Sequence, residues 1–307
     1  MVVCGYGKVI LFGEHFVVYG LPAIASALEL RVTAEVIPAE HGIAADDLLS
    51  GKKVFLGRDS APIIDLMPFF LKKFNVPKDR HFYLKLASDV PRHGGLGSSA
   101  ALVVAVTRAM NEYFKSGFSD EQVNKVAFEA EKYFHMTPSG VDNTAATYGG
   151  MVWFQKQPDN RVTMERIKLS QPVEIVIGDT GVSRDTGNVV QGLRERKENN
   201  PEKYHQIFAE AESLVHEAKQ ALLGCDLPLV GELMNRNHKL LQDMEVSSYE
   251  LDSLCKVALR SWALGAKLTG AGKGGCMLAL TPGRNLQERV ANAFTDEGYT
   301  AIKTSIG

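Results

Sequence analysis

Apolar and polar positions along this chain fall into short alternating blocks of two kinds. Around Lys8–Phe12 and over Ile24–Ile37, β-branched residues and period-two alternation predict strands, and His81–Leu86 alternates the same way before stopping at Val90-Pro91. The stretch from His41 to Asp59 is polar and mixed, suited to loops or a short hairpin. The run Ala101–Met110 is almost continuously apolar and passes into Asn111-Glu112-Tyr113-Phe114, which its length and context predict as a buried helix. A second helix is predicted over Asp120–Phe134, capped by Asp120, with Val123, Val126, Ala127, Ala130 and Phe134 on one face.

Proline and glycine then break the chain at His135–Asn143, and Tyr148–Phe154 reads as a strand. The polar, interrupted segment from about Gln155 to Ile167 is the expected domain junction, dividing the chain into 1–165 and 166–307. Beyond it come a strand at Val173–Gly178 and helices at Pro201–Leu222, Leu227–Gln242 and Ser248–Leu264. A strand at Cys276–Leu280, a helix at Asn285–Glu297 and a closing strand at Tyr299–Thr304 complete the pattern. Strands and helices alternate in both halves, so the fold class is mixed α/β, with two cores expected for 307 residues.

Composition removes several function classes. The net charge of −2, with no Lys/Arg block, gives no field for nucleic acid or an anionic membrane. Cys4, Cys225, Cys255 and Cys276 lack any close spacing, which argues against a zinc site or disulfide framework and fits buried thiols in a reducing compartment. No apolar run approaches 18 residues and no leader pattern is present, so the expectation is a cytoplasmic protein.

Three glycine-rich segments carry the candidate chemistry: Gly7–His15, Gly94–Ala100 and Thr269–Cys276. Glycine lets backbone N–H groups converge on an anion, so three such segments suggest a polyphosphate site. Gly94-Gly95-Leu96-Gly97-Ser98-Ser99-Ala100 lies between a predicted strand and a predicted helix, where free N–H groups and the helix dipole favour phosphate. The Walker-A pattern is absent, because Lys8 and Lys273 are followed by Val9 and Gly274 rather than a hydroxyl residue. Gly270–Gly275 matches a dinucleotide-binding fingerprint by letter but precedes a strand and lacks the later acidic residue. Phosphoryl transfer needs a cation, a metal-holding carboxylate and a group that orients or deprotonates the acceptor. Lys8, Glu131, Asp142 and Ser98-Ser99 supply these types, although each also has a structural use as a solvated lysine, a helix-face charge, a turn residue or an N-cap.

Taken in order, Gly7–Gly20, Pro91–Ala100, His135–Asn143 and Lys267–Cys276 resemble the GHMP kinase superfamily over nearly the whole chain. The loop Pro138-Ser139-Gly140-Val141-Asp142-Asn143 looks like the version carried by the mevalonate-phosphorylating branch, where galactokinases and homoserine kinases differ. The resemblance implies an N-terminal domain like ribosomal protein S5 domain 2 and a C-terminal ferredoxin-like domain, with ATP and acceptor in a cleft between them. It implies ATP phosphates on Gly94–Ala100, Mg²⁺ on Glu131 and a serine of the Ser98-Ser99 pair, Ser99 being preferred, and Asp142 as the catalytic carboxylate paired with Lys8. Glu14, His15, Ser139, Thr186 and Gly270-Ala271-Gly272 match positions near the acceptor, and Arg184 falls in the same segment as Thr186. It also leaves room for a homodimer. Rivals within this reading are another acceptor (phosphomevalonate, homoserine or a sugar) or a non-catalytic sensor that kept the fold. Lys273 replaces a glycine of the family motif, and Tyr6, Met136 and Gly187 are further departures. Lys273 either strengthens anion binding or points to solvent.

Overall fold

Strand formation in the first part of the chain follows its alternation. Strand β1 (Val3–Phe12) and strand β2 (Ala23–Pro38) are long, and in β2 Val32, Ala34 and Val36 are buried while the intervening Thr33 and Glu35 are only partly covered. The computed structural model describes residues 1–307 apart from 92–93, 136–137, 158, 160 and 184–185. The chain divides into two compact units that are not consecutive halves. The first holds Met1–Gly7, Leu30–Pro91 and Gly97–Tyr148, and the second holds Lys8–Glu29, Arg92–Leu96 and Gly149–Gly307.

In the first unit the C-terminal part of β2 pairs antiparallel with β5 (Phe82–Ser88), from Val32 opposite Ser88 to Pro38 opposite Phe82. Strand β3 (Ile43–Asp46) runs parallel to β5 and forms a hairpin with β4 (Lys53–Phe55), so the polar stretch after β2 does fold back as a hairpin. Two short helices, α1 (Pro62–Asp65) and α2 (Met67–Lys73), follow where no periodicity signals them, because prolines start each and split the apolar run. Helix α3 (Ser98–Phe114) is buried on most of its circumference, as its apolar run predicts. Helix α4 (Asp120–Glu131) is capped by Ser119, not Asp120: the Ser119 hydroxyl accepts from the Gln122 N–H, and the Gln122 side chain accepts from the Ser119 N–H. Helix α5 (Val141–Tyr148) begins inside the segment read as a loop and ends where a strand was expected. The strand starts only after Gly149-Gly150, both left-handed with φ of 67° and 62°. Arg108 on α3 donates to the Cys4 and Thr147 carbonyls and to Asp120, tying α3 to its neighbours.

In the second unit the N-terminal part of β2 pairs with β6 (Met151–Lys156), which pairs with β7 (Val162–Ile167). Strand β7 lies in the polar stretch taken as a junction. It is an exposed edge strand, so no apolar alternation marks it. A second sheet, antiparallel throughout, has the order β11-β8-β10-β9, from β8 (Val173–Asp179), β9 (Gly265–Leu268), β10 (Cys276–Leu280) and β11 (Thr300–Ile306). Helices α6 (Thr186–Asn199), α7 (Pro201–Leu223), α8 (Leu227–Asp243) and α9 (Tyr249–Arg260) lie between β8 and β9, and α10 (Arg284–Asp296) lies between β10 and β11. This is the βαββαβ succession of ferredoxin-like domains, enlarged at its first helix. Helix α6 escapes sequence reading because only Leu193 is buried along it, leaving no apolar stripe. No helix among the described residues is long and apolar enough to cross a membrane.

A polar cluster sits beneath β9. His238 on α8 accepts the Leu268 N–H at Nδ1 (3.3 Å), so its proton is on Nε2, which lies 3.1 Å from Asp252 Oδ1. Burial pushes the imidazole down to about 4, against the opposing pull of Asp252. The unfolded chain takes up this proton near pH 6.5 and the folded chain only near pH 4, so this contribution to stability rises with pH across that window. It is complete above it and worth up to about 3 kcal/mol. Chemical denaturation from pH 7 to 4 should show a steeper loss for the wild type than for His238→Gln. Parallel profiles would contradict it.

Candidate active site

In the first unit, Gly97 enters α3 in a left-handed conformation (φ 74°, ψ 29°), and no side chain caps the first turn. The first-turn N–H groups are thus left without a side-chain cap, the kind of helix start that can receive an anion. Ser99, in that turn, donates to Glu131 Oε2 at 3.4 Å, and its hydroxyl also lies 3.4 Å from His135 Nε2. Glu131 is the last residue of α4, only 2% exposed, with His135 one turn on at 3.9 Å. The loop that precedes α5 is fixed from both ends. Ser139 Oγ accepts the Val141 N–H at 3.3 Å, Thr144 Oγ1 donates to the Gly140 carbonyl at 2.6 Å, and Asn143 Nδ2 donates to Asn124 Oδ1 on α4 at 2.6 Å. Asp142 therefore projects from the first turn of a short helix locked to α4, half-buried. Sequence reading missed Arg108, Asn124 and Asn143 in this framework, because single polar residues on apolar helix faces carry no pattern.

In the second unit, Lys8 on β1 is 2% exposed; its ammonium donates to the Gly95 carbonyl at 3.2 Å and its N–H to the Leu96 carbonyl at 2.8 Å. Gly94 packs on buried Cys276, where a Cβ would stand 2.6 Å from the thiol sulfur. The third glycine segment joins β9 to β10. Gly270, Gly272, Lys273, Gly274 and Gly275 all have positive φ, between 55° and 129°. Positive φ at successive residues is the kind of backbone that can form an anion-receiving concavity. Hydrogen bonds from Lys273 N to the Val246 carbonyl (2.8 Å) and from Gly275 N to the Val182 carbonyl (3.1 Å) hold the loop. His15 Nε2 donates to the Ala271 carbonyl at 2.9 Å, bringing two of the sequence-predicted positions together. Glu14 is 1% exposed and ion-paired to Lys267, so it presents no open surface to a ligand. Thr186 is half-buried at the start of α6, and Arg184 and Met136 lie outside the described residues. Lys273 is exposed and in the left-handed region, which explains why a glycine suits that position.

The donor chemistry fits one hard cation carried with a nucleotide. Magnesium is usually held by one or two carboxylates together with substrate phosphates, and buried Glu131 beside the Ser99 hydroxyl supplies such a set. No group of three His, Cys, Asp or Glu side chains able to cage a metal occurs among the described residues.

Two family models match this chain, GHMP kinases N terminal domain over residues 63–150 and GHMP kinases C terminal over 218–300. The mevalonate kinase of Pyrococcus furiosus is 34% identical over 321 residues, covering 97% of this chain and 94% of the relative. The chain belongs to the mevalonate kinase family. The enzyme of that name from Thermococcus sibiricus is 33% identical over 320 residues, again covering 97% of this chain and 94% of its own. Among solved structures, L. major mevalonate kinase in complex with R-mevalonate superposes with a TM-score of 0.90 at 32% identity, covering 100% of this chain and 95% of that one. Membership and both kinase domains make the chain a small-molecule kinase with the two-domain GHMP fold.

The close approach at the third loop generates a contrast. A Cβ on Gly272 (φ 79°) would overlap the Val246 carbonyl oxygen, whereas Lys273 already carries a side chain at φ 55° and points outward. Gly272→Ala should cost about 2 kcal/mol or more and lower Tm clearly, while Lys273→Gly should change stability by no more than about 1 kcal/mol. Equal thermal shifts for the two variants would contradict this placement of the loop.

Proposed function

We propose that this chain transfers the γ-phosphoryl group of ATP to the 5-hydroxyl of (R)-mevalonate, giving 5-phosphomevalonate and ADP. The observation that carries this reading is the near full-length match to mevalonate kinases, together with the fold shared with a relative solved with R-mevalonate. Gly94–Ala100 binds the phosphates through backbone N–H groups, aided by the uncapped start of α3. Ser99 and Glu131 hold Mg²⁺, which would offset charge on the β- and γ-phosphates. Asp142 accepts the proton of the acceptor alcohol, and Lys8 stabilises negative charge at that oxygen. His15, Ser139, Thr186 and the Gly270-Ala271-Gly272 backbone orient the acceptor, with Glu14 and Arg184 in the same segments. Loose phosphoryl transfer asks for placement and charge stabilisation more than for covalent chemistry, and these residues supply both. The two kinase domains are proposed to divide near residue 165, between the two matched segments.

An ADP-release assay across acceptors tests the substrate. Mevalonate should turn over far above phosphomevalonate, homoserine and galactose, and turnover of one of those without mevalonate would leave the fold standing and overturn the acceptor. Two variants test the division of labour. Asp142→Asn should lower kcat by about 10² or more with ATP binding nearly intact. Glu131→Gln should raise the Mg²⁺ requirement and recover partly in excess Mg²⁺. Rescue of Asp142→Asn by magnesium would contradict the assignment.

A further inference from the structure

Lys267 stands in the middle of β9 with no exposed surface. Its ammonium donates to the Glu14 carboxylate, to the Leu268 carbonyl at 2.8 Å and to the Ile10 carbonyl at 3.4 Å. The second Glu14 oxygen is buried and has no hydrogen-bond partner among the described residues, so the carboxylate rests on Lys267. Burial pushes the Glu14 carboxyl up and the Lys267 ammonium down, and each opposes that shift in the other. Apolar residues of similar volume commonly stabilise a core as well as such a pair, so its presence calls for a use other than stability.

The use lies in what Glu14 is attached to. Gly13 and His15, on either side of it, both have positive φ (97° and 64°), and a left-handed histidine is a strained conformation that its surroundings must impose. On the far side of the same corner the imidazole of His15 donates to the Ala271 carbonyl. Thr269 clasps Ile10 twice, accepting its N–H at 3.0 Å and donating to its carbonyl at 3.2 Å. Residues 10–15 and 267–271 are thus one stitched unit, and Lys267 is its only charge-bearing stitch among the described residues.

We propose that Lys267 is a positioning residue for phosphoryl transfer: by anchoring Glu14 it holds His15 in its strained conformation on the third glycine loop, fixing the acceptor-binding surface. The kinetic part rests on the acceptor reading above, and the placement of His15 does not. Lys267→Met leaves a buried unpaired carboxylate and should lower Tm sharply. The double variant Lys267→Met/Glu14→Gln removes both charges and should regain most of that loss. In the double variant the acceptor KM should nevertheless stay raised about tenfold or more while the KM for ATP changes little. The ¹⁵N resonances of the His15 ring, assigned with His15→Asn, should leave the Nε2–H pattern of the wild type. A double variant with wild-type KM and unmoved His15 resonances would overturn the proposal, as would one no more stable than Lys267→Met. Should the wild type fail to phosphorylate mevalonate, the acceptor reading fails by itself and the His15 spectrum still decides the placement.

Discussion

An ammonium and a carboxylate without exposed surface can share a protein interior only if each finds the other, and in this chain Lys267 and Glu14 do so. The requirement acts on the backbone around them. Strand β1 continues into the corner at Gly13–His15, and β9 continues into the third glycine loop; the pair forces these two exits to lie side by side. Around it the second unit arranges a polar cluster in which His238 accepts from the β9 backbone at Nδ1 and its Nε2 lies 3.1 Å from Asp252 Oδ1. Cys255 nearby is held as a neutral thiol, pushed up by burial, with the Asp252 carboxylate adding to the shift. A slip of one residue would break the Lys267–Glu14 pair and the His238 contact to β9, leaving buried polar groups unpaired.

The first unit solves a different problem with side chains that bridge helices. Helix α3 is too apolar to be oriented by its surface, so Arg108 and the Asn124–Asn143 contact set how α3, α4 and α5 meet. The result places a hydroxyl and a half-buried carboxylate in the first turns of α3 and α5, where first-turn N–H groups are available, and a buried carboxylate at the end of α4. Phosphoryl transfer makes use of this economy. In the proposed reaction such fixed groups would face the oxygens on which charge develops, leaving little reorganisation at the moment of transfer.

Much of this was legible in the chain. Buried α3, the face of α4, the long α7 and the paired strands β8 and β10 follow directly from apolar spacing, and the three glycine segments mark the loops that the fold uses. Elements without an apolar stripe were not legible: α6 buries one leucine, β7 is an exposed edge, and α1 and α2 are too short for a period to register. The cap of α4 fell to Ser119 because Gln122 stands three residues on and completes a reciprocal pair, which a lone Asp120 cannot do. In the site, Lys8, Glu131 and Asp142 stood out by type and order. Lys267 did not, since no strand is marked at Gly265–Leu268 and the residue reads only as the entry to the third glycine segment; its burial rests on the tertiary partner Glu14. Legibility ended where function depends on a contact between distant residues rather than on a run of near ones.

In the proposed reaction the acceptor's own hydroxyl oxygen attacks the γ-phosphorus of ATP. Mevalonate carrying ¹⁸O in its 5-hydroxyl, incubated with ATP, Mg²⁺ and this protein, tests it by mass spectrometry of the products. The expected product is phosphomevalonate that retains the label in the bridging ester oxygen, with unlabelled ADP formed in equal amount. Label-free phosphomevalonate, or ADP formed with inorganic phosphate and no phosphorylated acceptor, would contradict it.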